Sequence, residues 1–423
     1  MNTASALLDL QALKDHVAIA KAATPSRAAA VPNAASLDEI DRQANLLSNA
    51  LQAQRLELFP PEARRTFREI PSAEVAALLG IPDAYLRKLE AAETLPAPKI
   101  YPNGKRTYSV ADLHTLRQTI DQSVGEAVLS PQRKGNESLQ VFAVANFKGG
   151  SAKTTTSAHL CQYLALHGYR VLAIDMDPQA SLSALHGIQP EWDVKKNQTI
   201  YGAIRYDDER VPFESVIRET HIPGLHIVPA NLEVMEFEHT TPAHLTTRRA
   251  GDPLFFDRVT QAILSVQSHY DVVIIDCPPQ LGYLAMSAMC AASGVIVTVH
   301  PQMLDIMSMS QFLLMMSDIM RVVSNAGGSV DYSIFKYVIT RFEPRDAPQT
   351  GIVNFLRHFF PQSLMENSVL KSTAISDAGL KKQTLYECNR EEFSRNTYDR
   401  AIESLNAVNG EIESLIKINW GRV

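Results

Sequence analysis

What this chain has little of narrows its class. Four cysteines, Cys161, Cys277, Cys290 and Cys388, are scattered over 423 residues without CxxC or Cys/His spacing. That pattern argues against a disulfide framework or structural zinc and suits a reducing compartment. No apolar run reads as a membrane span of roughly 18 to 20 residues. The first residues carry Asp9 and Lys14 among alanines and leucines, without the basic start and long apolar centre of a leader peptide. Basic charge is not in excess either: 40 Lys and Arg face 46 Asp and Glu, a formal net charge of -6. No global field draws the chain to nucleic acid, so any such contact must come from local patches. The expectation is a soluble cytoplasmic protein with no membrane contact. What is present is bulk: 45% hydrophobic residues, in a length that predicts two to three domains.

Residues 1–60 read as an alanine-rich arm followed by a helix. Leu37, Ile40, Ala44, Leu47, Leu51 and Leu56 form one apolar stripe, which either packs on its own domain or pairs two subunits. Residues 61–125 read as a helix ending at Gly80, a second helix starting near Asp83, a hairpin around Pro102-Asn103-Gly104, and a third helix with Ser109 and Asp112 at capping-box spacing. This stretch resembles a MerR-like winged helix-turn-helix, with "YLRKLE" as recognition helix and "PNGKRTYS" as wing. Arg87, Lys88, Lys105 and Arg106 would then contact DNA; the plainer alternative is a small helical domain with a solvated basic face. Residues 126–138, with Pro, Gly, Asn and Ser, read as a linker.

From 139 to 423 the pattern changes. Val- and Ile-rich runs "LQVFAVAN", "RVLAIDMD", "LHIVPA", "DVVIIDCPP", "GVIVTVH" and "SIFKYVITRF" alternate with helical stretches. This predicts an α/β fold, a mainly parallel sheet with helices on both faces. Ligands of such sheets bind at the carboxyl ends of the strands.

Three of those ends carry phosphate chemistry. In "NFKGGSAKTTT", Gly149 and Gly150 let backbone amides approach phosphate oxygens, Lys153 can reach terminal phosphates, and Thr154 offers a hydroxyl to Mg2+. "AIDMDPQASL" supplies Asp175 and Asp177. "VVIIDCPPQLG" supplies Asp276, an aspartate after four apolar residues that can hold Mg2+. Each piece alone is weak; in this order on an alternating background they reinforce one another.

"KGGSAKTTT" resembles the deviant Walker A loop of the ParA/MinD ATPases. "DMDPQASLSAL" and "DCPPQLGYLAMSAMCAA" resemble the ParA partition proteins in particular, over roughly residues 139–410. With its amino-terminal module the chain is most similar to the RepA partition proteins of repABC replicons. The resemblance implies binding of ATP and ADP with Mg2+ by Lys148, Gly149, Gly150, Ser151, Ala152, Lys153, Thr154 and Thr155. It implies metal contact through Thr154, Asp175 and Asp276, and a water-positioning role for Asp177. Pro279 and Gln280 would sense the γ-phosphate. Lys148 would reach across a nucleotide-sandwich homodimer to the partner subunit's phosphates, as an arginine finger does. Arg341 and Phe342 of "TRFEPRDAP" are candidates for contact with the base; ordinary loop contacts are the alternative. Ala152 departs from the family glycine, at a position where a Cβ costs roughly 1 kcal/mol.

The resemblance further implies a ParB-type (RepB-like) centromere-binding partner, non-specific DNA binding near Lys371 by a nucleoid-associated dimer, and repression of its own operator through the winged helix. Lys371, Lys381 and Lys382 otherwise read as a solvated basic face. The competing functional reading is a nucleotide-switched repressor in which hydrolysis is incidental. The final "EIESLIKINWGRV" lacks the basic face of a membrane anchor and is expected to pack as a terminal helix.

Overall fold

The computed structural model describes residues 37–58, 65–90, 96–146, 148–249, 251–327 and 331–422. The chain divides into two compact units, Met1–Arg64 and Arg65–Val423. In the first, Leu37–Leu58 is a single 22-residue helix. Of its expected stripe, Leu37, Ile40 and Leu47 are exposed, and the side chains of Leu51 and Leu56 lie outside the described residues.

The second unit opens with the elements expected over 65–125. Strand β1 (Ile70–Pro71) leads into helix Ser72–Leu79. Gly80 ends that helix at φ 67, its N–H bonded to Ala77 O, the left-handed stop that glycine adopts without Cβ strain. Helix Asp83–Glu90 follows. Asp83 is its first helical residue and spends its carboxylate on Ser72 Oγ and Arg87. Strands β2 (Lys99–Ile100) and β3 (Arg106–Tyr108) pair antiparallel, and β3 also pairs with β1. Helix Val110–Val124 starts in the expected capping box of Ser109 and Asp112.

The main sheet has eight strands in the order β11-β10-β9-β4-β8-β5-β7-β6, parallel except for the β6–β7 pair. The strands are β4 (Gln140–Ala145), β5 (Val171–Asp175), β6 (Arg218–Glu219), β7 (Leu225–Val228), β8 (Val272–Asp276), β9 (Gly294–Val299), β10 (Ile334–Phe342) and β11 (Leu364–Leu370). Every residue of β4, β5, β8 and β9 is buried, as helices on both faces require. Alternate residues feed two apolar clusters: Phe142 and Val144 on one side, Val141 and Ala143 on the other.

The first cluster is shared. Ile70, Leu86, Leu113 and Leu116 pack with Leu164, Tyr169, Leu405, Ile412 and Trp420. The segment 126–138 is tied down along its length. Asp121 accepts the amides of Val128, Leu129 and Ser130, and Arg422 donates to the carbonyls of Pro131 and Gln132. The terminal helix Arg395–Asn419 buries Leu405, Ile412 and Ile416 against this face.

Helix Met303–Asn325 corrects one expectation: with a hydropathy of 1.3 over its best window, it is long and apolar enough to cross a membrane. Its Met309, Phe312, Met316, Met320 and Val323 are buried in the second cluster, while Met303, Leu304, Met307 and Leu314 are exposed.

Candidate nucleotide site

Strands β4, β8 and β5 are neighbours, so their carboxyl ends bring the three motif loops together. The first loop joins β4 to helix Lys153–Leu166. Gly150 takes φ 80, which glycine tolerates. Ala152 takes φ 69 and ψ 28 as the helix N-cap. The feared strain is therefore present: a Cβ sits in the left-handed region at roughly 1 kcal/mol. Ala152 also offers no side chain to cap the helix, which leaves the first-turn amides for an incoming acceptor.

The loop is pinned from neighbouring strands. Thr298 Oγ1 donates to Ser151 Oγ at 3.0 Å, and Thr340 Oγ1 donates to Ser151 O at 3.0 Å. Asn146 accepts the Lys148 amide at 3.1 Å and donates to Thr298 O. Lys153 is buried, with Nζ 3.4 Å from Lys148 O. Burial lowers its pKa, while Asp276 and Asp177 pull the other way. An ammonium held with so little compensation suits an anion.

Beneath the loop, Thr154 Oγ1 donates to Asp276 Oδ2 at 2.7 Å and Ser157 Oγ donates to Asp276 Oδ1 at 2.9 Å. Asp175 stands directly across from Asp276 in the β5–β8 register. Both carboxylates are fully buried. Burial first and then Asp276 push Asp175 up to about 8; burial pushes Asp276 up to about 6, against hydrogen bonds from Thr154 and Ser157.

No group of three His, Cys, Asp or Glu able to hold a metal occurs among the described residues. A nucleotide-bound Mg2+ does not need one: it takes few protein oxygens and completes its octahedron with phosphates and water. The Thr154 hydroxyl and the Asp276 carboxylate, hard oxygens already 2.7 Å apart, fit that requirement. Asp175 fits it less well. Its Oδ2 accepts Ser183 N and Oγ at 2.8 and 2.7 Å and its Oδ1 accepts Asp177 N at 3.2 Å, so it shapes the loop that carries Asp177. Asp177 itself is half-buried and uses one oxygen on the Gln179 amide, 2.9 Å away.

Lys148 does not point at its own loop. Its Nζ lies 2.7 Å from Oδ2 of Asp305, which is 5% exposed, at the start of helix Met303–Asn325. Lys148, Arg341 and Lys371 all act on His300. Burial lowers that imidazole's pKa, Asp305 opposes, and the three cations add to the lowering. A cleft of about 370 Å3 lies beside the loop, with Gly150, Ala152, Thr155, Arg341, Lys371 and Ile375 in its walls. Arg341 adopts φ 53 and donates to Gly150 O at 3.3 Å. Phe342 packs with the second apolar cluster and is not in this wall; successive residues of a strand face opposite sides.

Sequence reasoning did not find Asn146, Ser157, Thr298, Thr340 or Asp305. Only Ser157, one helical turn after Lys153, carried a usable signal. Glu238 was also missed. It accepts the amides of Tyr283 and Leu284 at 2.9 and 2.8 Å, anchoring the helix that follows Pro279 and Gln280.

The DNA candidates lie elsewhere in the unit. Arg87 is exposed and paired with Asp83 at 2.8 Å. Lys88 is exposed, and Lys105 is 3.9 Å from Glu391. Arg106 is bound to the buried Glu90, which also accepts from Tyr108, so it braces the hairpin against the second helix. Lys381 pairs with Glu392, and Lys382 donates to Gln189. Lys371 lies 2.8 Å from Glu343.

A family model described as an AAA domain matches residues 139–326. A chain carrying the name replication protein A in Rhizobium rhizogenes is 54% identical over 386 residues, 90% of this chain and 95% of that one. Protein SopA of Escherichia coli K12 is 28% identical, over 85% of this chain and 92% of its own. A solved partition protein shares the fold, with TM-score 0.60, 16% identity and coverage of 88% and 98%. The pinned loop, the paired aspartates and these relatives agree: the chain belongs to the ParA-type partition ATPases, in the group of RepA partition proteins of repABC replicons.

Proposed function

We propose that this protein is a Mg2+-dependent ATPase that segregates a low-copy plasmid. The observation that carries the reading is the buried ammonium of Lys153 above the Thr154–Asp276 pair, under a loop with an uncapped helix start. The amides of residues 149–155 and Lys153 hold the phosphates of ATP. Thr154 and Asp276 hold Mg2+, which when bound screens charge between the β- and γ-phosphates. Asp177 orients the attacking water, and Asp175 fixes the loop that presents it. Arg341 flanks the base in the adjoining cleft.

Lys148 is the switch. In this state Asp305 neutralises it within one chain. Serving a partner subunit requires that ion pair to open, so sandwich-dimer formation and release of Asp305 are one event. The ATP-bound dimer binds DNA non-specifically, a ParB-type partner stimulates the slow hydrolysis, and the wing and second helix of the 65–124 module contact operator DNA through Arg87, Lys88 and Lys105. The shared core of that module and the sheet supports the second reading, a nucleotide-switched repressor. Plasmid loss and operator repression measured together for Asp177→Ala separate the two. Loss of segregation with repression kept supports partition; repression and segregation both kept supports the repressor, for which hydrolysis is incidental.

A further inference from the structure

Helix Tyr283–Ala291 begins without a cap of its own. Its N-cap is Gly282, at φ -99 and ψ -171, which offers no side chain to the first-turn amides. The cap comes instead from helix Glu236–Thr247, 45 positions away in the chain. Glu238 Oε2 accepts the Tyr283 amide at 2.9 Å, and its Oε1 accepts the Leu284 amide at 2.8 Å. A carboxylate at a helix start gains both from charge-assisted hydrogen bonds and from the helix dipole. Those two amides are the only hydrogen-bond partners of the Glu238 side chain among the described residues. Gly282 is matched to this contact. Its φ is open to any residue, so the requirement is one of space: a Cβ there would overlap both oxygens of Glu238.

The contact fixes one end of a short span. The other end is Asp276, held by Thr154 and Ser157, and Cys277 N donates to Val144 O at 3.2 Å. Between the two ends Pro278 and Pro279 restrict φ, so the place of Gln280 depends on both. Cys277, Pro278, Gln280 and Leu281 line a small cavity with Asn146, the residue that accepts the Lys148 amide. Helix Glu236–Thr247 is a firm base for the contact. Phe237 is buried in the second cluster, and Thr241 Oγ1 lies 2.8 Å from Tyr206 Oη, whose ring carries the Arg258 guanidinium at 4.3 Å. Glu238 bonds to none of the described phosphate-loop residues, so it acts on the chemistry through the span.

We propose that Glu238 is a positioning residue for hydrolysis: by capping helix Tyr283–Ala291 from a neighbouring helix, it sets how far the segment 278–281, and Gln280 in particular, reaches toward the γ-phosphate. The inference rests on the reading of the chain as an ATPase with Pro279 and Gln280 beside that phosphate. It adds a residue outside the three motif loops, and gives Gly282 its reason.

The test is steady-state ATP hydrolysis with Mg2+, run beside calorimetric titration of a slowly hydrolysed ATP analogue and thermal melting. Glu238→Gln keeps the size of the side chain but leaves one acceptor oxygen for two amides. Its kcat should fall about 10-fold, as small misplacements of reacting geometry do, with analogue affinity unchanged. Gly282→Ala, whose Cβ displaces the carboxylate, should lower kcat to a similar extent, and adding it to Glu238→Ala should lower kcat no further. Glu238→Ala combined with Gly282→Ser separates positioning from capping. The added hydroxyl can cap the helix locally, so the melting temperature should return toward wild type while kcat stays low. A kcat that recovers together with the melting temperature reduces Glu238 to a helix cap and overturns the proposal, as does an unchanged kcat in Glu238→Gln. Equal losses of kcat and analogue affinity overturn it too, because the span would then serve binding. A wild-type protein that neither binds the analogue nor hydrolyses ATP overturns the underlying ATPase reading, and this role with it.

Discussion

The nucleotide loop and the helical module at 65–124 treat their carboxylates in opposite ways: Asp121 is held below its ordinary pKa, Asp175 and Asp276 above theirs. Around the loop, Lys153, Asp175 and Asp276 are buried with incomplete compensation, and Ala152, Ala180 and Arg341 hold positive φ. In the module, Glu90 has Arg106 and Tyr108, Asp121 has three amides, and Ser109 has its reciprocal cap; its described residues with positive φ are glycines. Uncompensated charge and backbone strain persist where a ligand will complete them. The module has its own uncompensated burial at Arg117 and His114, whose pKa values burial lowers to about 10 and about 4; Arg87, Lys88 and Lys105 are among the cations it leaves exposed.

The comparison breaks most visibly at Lys153. Lys153→Ala should lower ATP affinity by about 100-fold or more and remove hydrolysis with it, as read by titration calorimetry. Asp177→Ala should cut the hydrolysis rate about 100-fold or more while ATP affinity changes little; an equal loss of both would make Asp177 a binding residue. In the module, Arg106→Ala leaves the buried Glu90 carboxylate short of a partner and should cost about 1 to 3 kcal/mol in chemical denaturation. Lys105→Ala should stay within about 0.5 kcal/mol of wild type yet weaken operator binding.

The paired aspartates set a pH signature. Their native pKa values lie above the ordinary 3.8, at about 8 for Asp175 and about 6 for Asp276, so the folded state binds more protons than the unfolded one. Their contribution to stability is complete below the unfolded value and is lost as pH rises through the native values. Without nucleotide, melting temperature should fall from about pH 4 to about pH 8 from this source, more steeply below pH 6, where both carboxyls contribute, than above it, where only Asp175 does. Asp175→Asn should flatten that fall; an unchanged profile would place the titration elsewhere. The smallest effect belongs to Ala152→Gly, which relieves the left-handed Cβ and should add roughly 1 kcal/mol by thermal melting.

Legibility in the sequence followed the same division. The central strands were readable because burial on both faces leaves unbroken Val and Ile runs. β11 was not, since "LMENSVL" places Glu366, Asn367 and Ser368 in a strand near the sheet edge. The short β6 carries too few residues for any period. Lys153, Thr154 and Asp276 carry a chemical expectation in their type and spacing, whereas the role expected of Lys148 comes from the resemblance alone. Asp305 was not legible: an aspartate in a helix's first turn looks like any favourable helix-start charge, and only the fold carries it 157 positions back to Lys148. The resemblance of its loop suggests the base for Phe342, whereas strand alternation packs it against the second apolar cluster. Nothing in the sequence reveals that Arg106 pairs with Glu90, whose side chain is buried beneath it.

The central claim is that Lys148 leaves Asp305 to act on a second subunit. Mixing Lys148→Ala with Asp177→Ala tests it most directly, through the steady-state rate of ATP hydrolysis. Each variant alone should be inactive. In an equimolar mixture the mixed dimers hold one site with both groups intact, so activity should return to about a quarter of wild type if Lys148 works in trans like an arginine finger. A mixture as inactive as its components would contradict the account and return Lys148 to its own subunit's phosphates.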